Sequence, residues 1–175
     1  MGGVLPARGR LLHVQSLIWR ELKYPVAAMT LFQVDDAGLL FISPALEDWA
    51  SLSAHGIDAV IDLEGGLDEC IPTKPGSCLY IYFPIFDEDL PDPARLDAVA
   101  LLGAHLVRNG RRVLSHCGMG FNRSALVAGR ILHSLGMPGD LVVERLRDRR
   151  PGALFNDVFA QHLQTLPAPS GLIVT

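Results

Sequence analysis

The chain has 175 residues, of which 49% are hydrophobic and 19% charged, with a formal net charge of −4. That length suits one domain with a substantial core, and the balance excludes a disordered chain. The acidic net charge excludes the broad basic face of a nucleic-acid binder, and no apolar run reaches the ~18 residues of a membrane span.

Leu11 to Leu22 is a candidate short helix, with Leu11, Leu12, Gln15, Ile18, Trp19 and Leu22 on roughly one face. Arg8 and Arg10 precede it, but His13, Gln15 and Ser16 interrupt the apolar core that a signal peptide requires. Met1-Gly2 matches a myristoylation start, while Pro6 stands where Ser or Thr is needed. A cytoplasmic protein without membrane attachment is expected. Residues 1–28 read as an N-terminal extension.

Met29 to Val34 and Leu39 to Ile42 read as strands joined by the turn Asp35-Asp36-Ala37-Gly38. Ser43-Pro44 is expected to open a helix through His55, closed by Gly56. Asp58 to Leu63 is a short apolar strand, 64–77 a loop rich in Gly and Pro, and Cys78 to Ile85 a further strand. Asp92-Pro93 is a cap followed by proline at the first helical position, and that helix runs to Asn109 before Gly110. Arg112 to His116 is a strand leading into a glycine-rich loop. Arg123 to Leu135 is a buried helix, and two more follow over 139–148 and 156–166, separated by Pro151-Gly152. Residues 167–175 read as a loose tail. Alternating strands and helices over 29–166 predict one α/β domain. Its mostly parallel central sheet of four to five strands is flanked by helices.

The chemistry concentrates in Val113-Leu114-Ser115-His116-Cys117-Gly118-Met119-Gly120-Phe121-Asn122-Arg123-Ser124. A strand, a loop with two glycines and a helix start form an anion cradle, because successive backbone N–H groups and the positive helix end face one point. Cys117 at its base would be favoured as thiolate. Arg123, six positions on, offers a planar fork for two phosphate oxygens. Gly118, Met119, Gly120, Phe121, Asn122 and Arg123 are the expected substrate-binding residues. Three cysteines, Cys70, Cys78 and Cys117, make no disulfide framework, and no CxxC or HxxxH spacing suggests a zinc site. Arg147, Arg149 and Arg150 form a basic cluster that is either a solvated helix end or a substrate-facing rim.

The segment HCGMGFNRS resembles the HCxxGxxRS signature of dual-specificity protein phosphatases, within the cysteine-dependent protein tyrosine phosphatase superfamily. The resemblance spans roughly 39–166 and includes Arg150-Pro151-Gly152-Ala153-Leu154, similar to the RPGAL after the penultimate helix in that group. It implies a phosphatase domain over 29–166 acting on phosphotyrosine or phosphoserine/phosphothreonine proteins, without cofactor or metal. It assigns Cys117 as nucleophile and Arg123 as the phosphate-binding cation. His116 would order the loop, and Ser124 would assist departure of the cysteine sulfur. Asp87 lies thirty positions before Cys117, at the spacing of the family's general acid, with Asp89 as the second candidate. Two other outcomes stay open: a phosphatase of the same fold acting on inositol lipids or RNA 5′-phosphates, and a non-catalytic phosphate-binding module. The uncharged loop interior, 118–122, argues against a polyanionic head group. A redox partnership of Cys70 or Cys78 with Cys117 is a further question.

Overall fold

The structure, a computed structural model, describes residues 30–168. The helix expected over Leu11–Leu22 lies outside these residues, as do 169–175 of the tail. Five strands form one sheet: β1 Phe32–Gln33, β2 Leu40–Ser43, β3 Ala59–Asp62, β4 Leu79–Tyr82 and β5 Val113–His116. Their order is β1-β2-β5-β3-β4, and only the β1–β2 pair is antiparallel. The central strands β3 and β5 are buried along their whole length, which accounts for their nearly continuous apolar reading.

The helices among the described residues are α1 Trp49–Ala54, α2 Pro93–Arg108, α3 Arg123–Ser134, α4 Gly139–Arg149 and α5 Asp157–Gln164. One face of the sheet carries the main core, where Ala59, Ile61 and Val113 pack with Ala104, Val127 and Ile131 of α2 and α3. The other face is covered by α1, with Leu52, Ile57, Val60 and Leu114 packed beneath Trp49 and Tyr80. Among the described residues no helix is long and apolar enough to cross a membrane.

The Asp35–Gly38 turn forms as expected. Leu39 N and Leu40 N both donate to the Asp35 carboxylate at 3.0 Å, fixing the hairpin. The first helix differs from expectation. It starts at Trp49, not at Ser43-Pro44, because Asp48 is the working cap and accepts from Ala50 N at 2.9 Å and Ser51 N at 3.0 Å. Ser43 stays in β2, paired with His116. The backbone at 43–45 is committed elsewhere. Cys117 N donates to Ser43 O at 3.4 Å, and Ala45 N to Gly118 O at 3.3 Å. The strand expected over Cys78–Ile85 is regular only over 79–82, since Pro84 has no N–H to give. Phe83 N and Ile85 N still donate to Asp62 O and Leu63 O, at 2.8 and 3.4 Å, and carry the chain toward the loop.

Candidate active site

Cys117 follows β5 directly and is 2% exposed. Its Sγ lies 3.5 Å from Ser124 Oγ. Ser124 is the second residue of α3 and fully buried, so the helix cap is Asn122 rather than Ser124. Two glycines fix the path of the loop. Gly120 has φ +69°, and a Cβ there would sit 2.6 Å from the Ser43 carbonyl carbon. A Cβ on Gly118 would sit 2.7 Å from Glu64 Oε1. Met119 is 65% exposed, Phe121 half-buried and Asn122 buried.

Arg123 opens α3, and its guanidinium is held on three sides. Nη1 donates to Leu63 O at 3.1 Å and Ile85 O at 3.4 Å, and Nη2 to Glu64 Oε1 at 2.8 Å. Its Nε is buried and has no partner among the described residues. Glu64 was missed by sequence reasoning. Nothing local marks it, since it meets Arg123 only when β3 and α3 come together.

Asn122 does not cap α3 with its side chain. Instead Nδ2 donates to Asp87 Oδ2 at 3.1 Å, and Oδ1 accepts from Asn156 N at 3.1 Å. Asn156 Nδ2 in turn donates to Asp87 O and Glu88 O, at 3.3 and 3.1 Å. Asp87 is thus brought to the loop and tied there from both its side chain and its backbone. Asp89 instead lines a separate cavity of about 260 Å³ with Arg95.

His116 is fully buried among acidic groups. Its Nε2 lies 3.0 Å from Asp68 Oδ2 and 3.6 Å from Asp62 Oδ1. Tyr80 Oη donates to Asp62 Oδ2, and Asp68 N donates to Tyr80 Oη at 3.1 Å. Burial pushes the Asp68 carboxyl above its ordinary value, against the opposing pull of His116. Burial, with the bond to Asp62, also pushes the Tyr80 phenol up. Asp62, Asp68 and His116 are the one set among the described residues close enough to share a cation, their ligand atoms lying within 4.8 Å of one another. Both Asp62 oxygens are already engaged, Oδ1 by Glu64 N at 2.8 Å and Oδ2 by Tyr80, while Asp68 Oδ2 and both His116 ring nitrogens have no hydrogen-bond partner among the described residues.

The basic cluster is neither a solvated helix end nor a free rim. Arg149 pairs with Asp36 at 3.0 Å, and Arg147 donates to Leu154 O at 3.0 Å. Arg150 lies between the rings of Phe32 and Phe121, 4.0 and 3.9 Å from their centroids, and reaches toward Met119 O and Gly120 O at 3.5 Å. Leu154 N donates to Phe121 O at 3.0 Å, so the Arg150–Leu154 segment buttresses the loop. Cys70 is exposed. Cys78 stands just before β4, at the opposite end of the sheet from Cys117. That is about 16 Å of strand away at ~3.3 Å per residue, which removes Cys78 as a direct partner for the Cys117 sulfur.

No family model and no curated protein matches the chain. Solved structures do. A mouse putative dual specificity phosphatase is 27% identical, with a TM-score of 0.66 over 81% of this chain and 89% of its own. Human DUSP28 is 25% identical, with a TM-score of 0.64 over 77% of this chain and 90% of its own. The human tyrosine phosphatase-like serine/threonine/tyrosine-interacting protein, at 21% identity and a TM-score of 0.61, covers 77% of this chain and 93% of its own and shares the fold. With this sheet, these flanking helices and the cysteine-to-arginine loop between β5 and α3, the chain is similar to dual-specificity phosphatases, in the cysteine-dependent protein tyrosine phosphatase superfamily, and shares their fold.

Proposed function

We propose that the protein is a cytoplasmic phosphatase that hydrolyses phosphate monoesters on phosphotyrosine or phosphoserine/phosphothreonine proteins, through a phosphocysteine intermediate. The observation that carries this reading is the bond from Asn122, inside the loop, to the carboxylate of Asp87. It sets an acid beside the same cradle that holds Cys117 and Arg123.

In the first step Cys117 Sγ attacks phosphorus and the bond to the ester oxygen breaks. Asp87 gives that oxygen its proton, so an alcohol or phenol departs. In the second step Asp87 takes a proton from water, the water oxygen attacks phosphorus, and the S–P bond breaks. Ser124 Oγ, 3.5 Å from the sulfur, donates to the departing thiolate. Arg123 and the loop amides hold the equatorial oxygens throughout. Glu64, Leu63 O and Ile85 O fix the guanidinium so that its buried Nε faces no acceptor among the described residues, which suits a phosphate oxygen. His116, buried beside the Asp68 carboxylate, steadies the base of the loop.

The mouse neighbour is complexed with zinc tungstate, and tungstate is a tetrahedral oxyanion like phosphate. Inositol lipids and RNA ends are poorer candidates. The loop interior carries no charge, and Arg147, Arg149 and Arg150 are all engaged within the protein.

The test is turnover of para-nitrophenyl phosphate with EDTA present. Wild-type protein should turn over, and Cys117→Ser should lose all activity yet still bind vanadate. Activity retained by Cys117→Ser sinks the mechanism. Vanadate binding without wild-type turnover would identify a phosphate-binding module instead.

A further inference from the structure

β5 ends on His116, one residue before Cys117, and its imidazole is fully buried. Two carboxylates meet it there. Asp62 comes from the end of β3, and Asp68 from the loop over 64–77. His116 Nε2 lies 3.0 Å from Asp68 Oδ2 and 3.6 Å from Asp62 Oδ1. Asp62 is fully buried, and the side chain of Asp68 is 9% exposed.

Two independent features point to a bound cation. The first is charge. Among the described residues neither carboxylate pairs with a lysine or arginine. Two carboxylates beside one imidazole keep a net negative charge even when the imidazole is protonated, and buried charge is costly unless it is paired or bound to metal. The second is a lack of partners. Asp68 Oδ2 and His116 Nε2 face each other, both buried, and neither has a hydrogen-bond partner among the described residues. Asp62, by contrast, is held from outside, with Glu64 N donating to Oδ1 at 2.8 Å and Tyr80 Oη to Oδ2. Outer bonds of this kind orient a carboxylate ligand and still leave each oxygen a lone pair.

We infer that Asp62, Asp68 and His116 bind one divalent cation, zinc by preference, which pins the 64–77 loop to the end of β5. One imidazole nitrogen and two carboxylate oxygens suit zinc better than calcium or magnesium, which take oxygen ligands. Zinc about 2.0–2.1 Å from each ligand sets neighbouring ligand atoms about 3.3–3.4 Å apart. The separations of 3.0 and 3.6 Å from His116 Nε2 bracket that spacing. Three protein ligands leave one position for water. The ion takes no part in the step at phosphorus. Its role is anchorage, because the 64–77 loop has no helix or strand of its own and Asp68 brings it to the strand that precedes Cys117. Sequence spacing does not betray the set, whose members stand six and 48 positions apart.

The test uses the full-length Cys117→Ser protein, in which the nucleophile cannot compete for metal. The protein is stripped with EDTA, dialysed, and titrated with zinc alone against a chromogenic chelator. It should bind one zinc per chain with a Kd of about 1 μM or tighter. Adding Asp68→Asn should weaken binding about a hundredfold or more, since loss of an outer-shell partner alone costs roughly 10- to 100-fold. Replacing Cys70 and Cys78 by serine should leave it unchanged. Zinc about a hundredfold above Kd should raise the melting temperature by about 5 °C or more, and not in the Asp68→Asn protein. A second reading needs no further variant: zinc should shift the Nε2 nitrogen resonance of His116. No zinc bound, equal binding by Asp68→Asn, or an unmoved His116 resonance overturns the proposal. The phosphatase reading stands or falls separately, since metal binding is read in a protein without its nucleophile.

Discussion

Asp87 and Asn122 stand 35 positions apart and meet through one hydrogen bond of 3.1 Å. In the proposed mechanism this bond orients the proton donor, and an acid matters most when the leaving group is poor. Asp87→Asn should therefore slow hydrolysis of phenyl phosphate by about a hundredfold or more, within the usual range for general acids, and that of esters with very acidic phenols far less. Asp89→Asn is the control. A larger loss from Asp89→Asn in steady-state kinetics would move the acid two residues on. Cys117, Arg123 and Ser124 could be picked out in the sequence because one strand–loop–helix turn holds them all. Glu64 could not, being 59 positions from the arginine it holds. The same is true of Asp68, which reaches His116 only from a long loop.

At the scale of elements, one residue joins α5 to the proposed site. Asn156 caps α5, its Oδ1 accepting from Val158 N at 2.9 Å and Phe159 N at 3.3 Å, while its Nδ2 holds the backbone of the acid loop. Serine caps a helix about as well but lacks the amide N–H groups. Asn156→Ser should keep the melting temperature within a few degrees of wild type and lower phenyl phosphate turnover about tenfold. Asn156→Ala should lose the turnover and, with the cap, about 1 kcal/mol of stability as well. An Asn156→Ser protein with full activity would confine the residue to capping. The start of α5 was legible because the cap is local. The start of α1 was not. Ser43-Pro44 has the composition of a helix entry, but the backbone after Ser43 is bound to Cys117 and Gly118, and the helix waits for Asp48.

For the molecule as a whole, the alternation of strands and helices was legible from hydrophobic period and turn residues. The strand order was not, because which strand lies beside β5 is decided by contacts far apart in sequence. Acid stability follows from one such contact. Burial, reinforced by the Arg130 charge, holds the pKa of His162 below the ordinary histidine value. As pH falls through about 6.5 the unfolded chain takes up a proton before the folded one, so stability drops with pH there. His162→Gln should flatten the urea-midpoint profile between about pH 7 and pH 5. An unchanged slope would assign the acid sensitivity to other groups. The tethered acid loop has a consequence of its own, in time rather than in energy. In enzymes whose acid rides on a swinging lid, closure takes microseconds to milliseconds and sets the pace of the cycle. Here Asp87 is bonded to the phosphate loop before any ester arrives. In the proposed mechanism no closing stroke would then separate capture from cleavage, and the rhythm of turnover would belong to making and breaking the bonds at phosphorus.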